Sequence, residues 1–194
     1  MNSFNTDEDG FTGLEAAIVL IAFVVVAAVF SYVVLGAGFF TTQKSQEVVH
    51  TGVAQASSTL QIIGNVYGVA TASGQPISYV NFSIGLAPGG TAVDVSKMVI
   101  TYSTPSALET LSLVGTIGSD AGAGEWNVVA VRNNRGATEN FLLESGEQFD
   151  IKAHPTNTIA ADTTFNLELK PIVGTALDIR RTVPAGTKVL NILY

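Results

Sequence analysis

The stretch Ala16–Phe40 reads AAIVLIAFVVVAAVFSYVVLGAGFF, and its reading decides the fold. None of its side chains carries a charge, and Ser31 is its one plainly polar residue. As a helix rising about 1.5 Å per residue it spans roughly 37 Å, more than the roughly 30 Å of bilayer hydrocarbon. Leu, Ile, Val and Phe fall on every azimuth, so the helix has no face for water. A helix apolar all round must be buried on all sides, in lipid or among other helices.

Composition bounds the rest. A chain of 194 residues accommodates one domain with an appendage. Hydrophobic residues make up 47% and charged residues 13%, with the apolar excess in the first third. The absence of cysteine excludes disulfides and thiolate metal sites. A net charge of −7 argues against a nucleic-acid partner, whose binders carry basic patches. The apolar run is too long for the h-region of an ordinary secretory signal, and the segment before it, MNSFNTDEDG, is acidic where such signals are basic.

Outward from the run, no proline interrupts the chain before Pro76. Gly36 and Gly38 each weaken a helix by about 1 kcal/mol relative to Ala, and they permit close helix approach. Polar character begins at Thr41-Thr42-Gln43-Lys44. Val49, Val53, Ala56, Leu60 and Ile63 then recur at helical spacing, which predicts a helix ending near Gly64 to Gly68. Gly74-Gln75-Pro76 marks a turn. Beyond it, short segments at Ile77–Ile84, Val95–Ser103, Leu108–Gly115, Trp126–Arg132, Gln148–Ala153, Thr164–Lys170 and Leu177–Val183 read as strands. The apolar tail 188–194 is expected to pair into the same sheet. The fold class expected is α+β: a long N-terminal hydrophobic helix followed by an immunoglobulin-like antiparallel β-sandwich. The domains are a leader at 1–10, a helix at 11–68 and a β-sandwich at 75–194.

Catalytic chemistry finds little support. His50 and His154 are not at metal-pair spacing and read as solvated. No nucleophile elbow or phosphate loop occurs. The loop from Gly118 to Gly124, with Asp120 and Glu125, offers fewer oxygens than the six to eight that Ca²⁺ requires, and reads as a flexible hairpin. No metal or cofactor is expected. Trp126 reads as core. Asn81-Phe82-Ser83 is an N-glycosylation sequon, and a period-two strand puts Asn81 opposite Val80 and Phe82, facing outward. Glu15, at the mouth of the apolar run, is favourable at a helix N-terminus through the macrodipole.

Gly10-Phe11-Thr12-Gly13-Leu14-Glu15 ahead of the apolar run resembles the class III signal of type IV pilin-like proteins. The longer stretch GLEAAIVLIAFVVVAAVFSYVVLGAGFFTTQKSQE is similar to the N-terminus of the archaellins, the archaeal flagellins. Glu144-Ser-Gly-Glu-Gln-Phe-Asp-Ile151 and Phe165-Asn-Leu-Glu-Leu-Lys-Pro171 are similar to that family too. Asp9 departs from the pattern, which usually has Lys or Arg before the glycine.

The resemblance implies cleavage between Gly10 and Phe11 by a prepilin-like signal peptidase, which leaves Glu15 as the fifth mature residue. It implies a membrane-inserted precursor and assembly into a homopolymeric helical filament outside the cell, with other archaellins as possible co-subunits. Phe11 and Glu15 would then act in assembly, and Val24, midway through the run, would lie in the filament core. The implied function is structural, a rotating swimming filament that also adheres. Two alternatives stay open. One is a non-rotating adhesive pilus on the same signal, and the other is a single-pass membrane-anchored ectodomain.

Overall fold

The computed structural model describes residues 6–134, 136 and 138–194, with side chains from residue 13 onward. The chain divides into two units, Met1–His50 and Thr51–Tyr194. Helix α1 covers Thr6–Ser57, 52 residues and about 78 Å. It is rich in Val, a mediocre helix former in water. Away from water, however, every backbone amide and carbonyl must be satisfied within the segment, and the helix does that regardless of propensity. Gly10 and Phe11 fall within the helix, but their side chains lie outside those described.

α1 stops at Ser57, short of the 64–68 region that its apolar spacing predicts. Leu60 and Ile63 belong instead to strand β1, Leu60–Ala70. Two causes combine. Ser57 Oγ donates to the Ala54 carbonyl at 3.3 Å and Thr59 Oγ1 to the Ala56 carbonyl at 3.1 Å, so short hydroxyl side chains occupy carbonyls of the last turn. Beyond them, Ile62, Ile63, Val66, Tyr67 and Val69 are β-branched or aromatic and pack well on a pleated sheet. Gly64 has φ of +82°, and the register of β1 against its neighbour shifts between Ile63 and Tyr67. This bulge breaks the period-two signature that marks a strand.

The other strands are β2 Ile77–Leu86, β3 Val93–Asp94, β4 Val99–Thr104, β5 Ala107–Leu113, β6 Glu125–Arg132, β7 Leu142–Leu143, β8 Gln148–His154, β9 Thr164–Lys170, β10 Leu177–Thr182 and β11 Leu190–Leu193. The expected strand segments are all present, and the C-terminal tail pairs antiparallel with β1 through β11. One boundary moves: 95–97 form a 3-10 turn, because Asp94 Oδ1 accepts from both the backbone N and the Oγ of Ser96 and caps it. Nine strands run in the order β10-β9-β4-β5-β6-β8-β2-β1-β11, and β3 pairs with β7 as a satellite.

The ladders are antiparallel except one. β5 pairs parallel with β6 through Ser112–Glu125 and Leu113–Trp126, and that link joins the two layers of the sandwich. At the other margin the Thr182 amide donates to the Tyr194 carbonyl at 3.1 Å, and Thr59 bridges Thr175, which gives the sandwich a barrel-like closure. Alternate residues such as Phe149, Ile151 and Ala153, or Phe165, Leu167 and Leu169, meet inside with Trp126 in a single core.

The parallel pair demands a crossover connection, and residues 114–124 supply it. This segment is a fastened strap where the sequence predicted a flexible hairpin. Asn127 is fully buried on β6, and its Nδ2 donates to the carbonyls of Thr116 at 2.6 Å and Ser119 at 2.8 Å. Lys152 Nζ donates to Asp120 Oδ1 at 2.5 Å and lies 4.0 Å from the centre of the Tyr79 ring. His154 is half-buried, with Nδ1 3.0 Å from the Ala121 carbonyl and its ring against Tyr79. It serves the strap, which corrects its reading as a solvated residue.

Candidate assembly surface

Apart from Asn81, the functional residues that the sequence singles out lie on α1. Every described side chain from residue 13 to residue 50 is exposed, Phe23 at 72% and Val24 at 59%. Ile18 through Val26 are consecutive large or small apolar residues, so the exposed surface wraps the whole helix. A monomer in water seldom leaves more than a few hundred Å² of contiguous apolar surface bare, and this coat is several times that. By length and composition Gly13–Ser57 is able to cross a membrane.

Local chemistry extends the apolar coat further than the residue types indicate. Thr41 Oγ1 donates to the Ala37 carbonyl at 2.8 Å and Thr42 Oγ1 to the Gly38 carbonyl at 2.9 Å. Both hydroxyls are satisfied inside the helix, so they enter an apolar environment without an orphaned donor. The sequence carries the signal for this, Thr four residues after a helical Ala or Gly, so the onset of polarity that the residue types suggest at Thr41 lies further on. That onset comes with the exposed Lys44–Glu47 ion pair, at 2.7 Å.

A Cβ added at Gly36 or Gly38 would meet nothing within 4 Å. These glycines weaken the helix, and no contact of their own chain requires them. Gly38 floors a shallow groove with Ala27, Ser31, Val34, Leu35 and Thr42, of the kind that lets a second helix approach closely. Glu15 lies on the same helix with its side chain exposed, one turn after Phe11. The structure thus gathers Glu15 and Val24 on one element.

Asn81 is on β2, far in sequence from that surface. Its neighbours Val80 and Phe82 point into the core, so Asn81 faces outward between Tyr67 of β1 and Lys152 of β8. It is half-buried at the floor of a recess of about 220 Å³ that includes Ser83, Arg132 and Asp150, and its Oδ1 has no hydrogen-bond partner. Asp150 is engaged by Ser83 Oγ at 2.6 Å and by Arg132 Nε at 2.7 Å. Among the described residues no three His, Asp or Glu side chains are placed to hold a metal ion.

The model of archaeal-type flagellin matches residues 10–181, nearly the whole chain. The chain belongs to the archaeal-type flagellin family. Its similarity to individual flagellins is extensive. It is 39% identical to the probable flagellin 1 of Archaeoglobus fulgidus over 98% of its own length and 97% of that protein. Among solved structures it superposes on a subunit of the archaeal flagellum of Methanospirillum hungatei strain JF1 with a TM-score of 0.71 at 35% identity, over 94% of this chain and 99% of the other. The crystal structure of flagellin FlaB1 from Methanocaldococcus jannaschii aligns with a TM-score of 0.57 at 17% identity over 69% of this chain and 95% of that one, which is a likeness of fold. The flagellin match covers both the apolar helix and the β-sandwich described above.

Proposed function

We propose that this flagellin is the structural subunit of an extracellular archaellum filament, without enzymatic activity, and that it polymerises through α1. The observation that carries the reading is the all-round apolar coat of α1 in a chain that superposes along 94% of its length on an archaeal flagellum subunit. A surface that leaves no azimuth for water needs neighbours on every side. A helical polymer supplies them, because a heterologous contact that does not close a ring repeats indefinitely.

In this proposal lipid covers the same coat in the precursor, before a prepilin-like peptidase removes residues 1–10 and leaves Phe11 as the first residue. Glu15 then neutralises the new amine at Phe11 as subunits enter the core, and Val24 packs within it. Asn81 carries a glycan, supported by its sequon and its outward position on β2. Rotation of the filament for swimming follows from the family and not from any residue of the chain.

Electron microscopy of material sheared from cells tests the central claim. Filaments that contain this chain and vanish when its gene is deleted are expected. A protein released as single molecules, or retained in membranes as a monomer, overturns it.

A further inference from the structure

Two exposed apolar features lie on the β-domain. The first is a ridge. Leu190, Ile192 and Tyr194 alternate outward while Asn191 and Leu193 are buried, and the register sets Leu190 opposite Val69 and Ile192 opposite Tyr67. Tyr194 is 87% exposed and Leu190 58%. Cations flank the ridge: exposed Lys188 precedes it, and exposed Arg180 lies two residues before Thr182, whose amide bonds the Tyr194 carbonyl.

The second is a hollow of about 230 Å³ lined by Leu142, Ile172 and Val173 with Ala92, Val93 and the Asp94–Lys97 pair. Ile172 is 66% exposed. Asp94 and Lys97 are 3.1 Å apart and neutralise each other. Leu142 lies on the segment 138–147, which carries exposed Glu139 and Glu144 and no basic residue. The two features share no residue. The hollow sits with the loops that touch Ser58, and the ridge borders Val66–Val69, so roughly 30 Å of β1 separates them.

We propose that the ridge of one copy seats in the hollow of the next. An exposed apolar strip flanked by cations meets an apolar hollow beside an acidic segment, so the two match in polarity and in sign of charge. Because ridge and hollow lie at different places on one domain, the contact is heterologous and repeats along a polymer. The inference rests on the filament reading and adds to it a second interface, made by the β-domain.

The chain has no cysteine, which makes the contact directly testable in full-length filaments. Carrying Ile192→Cys and Leu142→Cys in the same chain, oxidised filaments are expected to yield a ladder of dimers, trimers and higher species on a non-reducing gel. Filaments of either single variant should stay monomeric. Oxidised double-variant filaments with no ladder overturn the inference and leave the filament reading intact. So do single variants that stop at dimers, since that marks a symmetric contact.

Charge exchange gives an independent readout. Arg180→Glu with Lys188→Glu is expected to lower the yield of sheared filaments on the order of tenfold at low salt. Adding Glu139→Lys and Glu144→Lys should restore it. An unchanged yield in the first variant, or no rescue in the second, overturns the contact. Absence of filaments from the unaltered chain overturns the filament reading itself.

Discussion

Gly174 shows how much a single position holds at the helix exit. Its φ is +114°, a backbone region that L side chains avoid, and a Cβ there would collide with the Ser58 carbonyl. Its own carbonyl accepts from Gln55 Nε2 at 3.0 Å, while Ser58 Oγ meets Thr91 Oγ1 at 2.5 Å. Gly90 abuts the same bend, where an added Cβ would stand 2.8 Å from the Ser57 carbonyl. Gly174→Ala is therefore expected to cost about 2 to 4 kcal/mol, from backbone strain together with overpacking. Heat denaturation of the full chain in detergent, followed by its β-sheet dichroism, should show the midpoint falling by about 5 to 15 °C. An unchanged midpoint rejects this account of the bend. Neither glycine can be singled out from sequence, since both occur among ordinary turn residues and the contact that requires them comes from a distant segment. Glu15 is the opposite case, legible as the one carboxylate at the mouth of the apolar run. The proposed mature amine at Phe11 would stand one turn from it and give it a part in assembly, because either charge alone is expensive in an apolar core. Glu15→Gln is expected to leave precursor abundance unchanged and to lower the ratio of sheared filament to cellular subunit. Equal ratios favour a simple helix-dipole charge worth about 0.3 to 1 kcal/mol.

At the scale of elements, α1 and the strap differ in what the sequence discloses. Ala16–Phe40 announces a helix because composition alone removes the alternatives. Its end is not legible in the sequence, because Leu60 and Ile63 continue a helical spacing by coincidence and the bulge at Gly64 hides the strand they belong to. Val24→Asp tests the role of α1. A carboxylate there is unpaired in lipid and in a packed bundle alike, at about 2.5 to 3.5 kcal/mol in the membrane alone. Filaments should be lost while β-structure persists, because the core around Trp126, Phe149 and Phe165 contains no α1 residue. Normal filaments in this variant contradict the proposed core. The strap was unreadable for a different reason. Gly118, Gly122 and Gly124 suggest mobility, and what fastens the segment is Asn127, Lys152 and His154 from two strands that follow it. The hydrogen bond from Lys152 holds the Asp120 carboxyl below its ordinary value of 3.8. A lowered carboxylate pKa contributes stability that is full above that value and is lost as pH falls through the folded value. Asp120→Asn should lower the unfolding midpoint at pH 7, with the difference from the unaltered chain vanishing in strong acid. The effect is small, since the Asp120 side chain is 82% exposed. An unchanged midpoint at pH 7 assigns the strap's hold to Asn127 and His154 alone.

At the scale of the whole molecule, under the proposed function one apolar surface has to serve in two environments, with removal of residues 1–10 deciding between them. Residues 1–10 carry Asp7, Glu8 and Asp9 and no basic side chain. In a membrane precursor these charges remain at the aqueous boundary, where they cost little. In a bundle of α1 helices the same three carboxylates would be carried against neighbouring apolar helices without partners, which is costly for each of them. Cleavage after Gly10, as proposed, would take all three away and expose one amine at Phe11, a single positive charge for Glu15 to offset. Cleavage after Gly10 is on this argument a precondition for assembly and not a trimming step. Intact-mass measurement of sheared filaments should give a subunit that begins at Phe11, heavier than its sequence by the glycan on Asn81. A peptide across Asn81 that is wholly unmodified removes the glycan from the proposal and leaves the cleavage untouched. The cleavage has its own test in Gly10→Val, which is expected to leave full-length precursor in the membrane fraction and no filaments. Assembled filaments whose subunits still carry residues 1–10 would show that the three carboxylates are tolerated in the bundle, and the electrostatic argument for ordered maturation would fall with them.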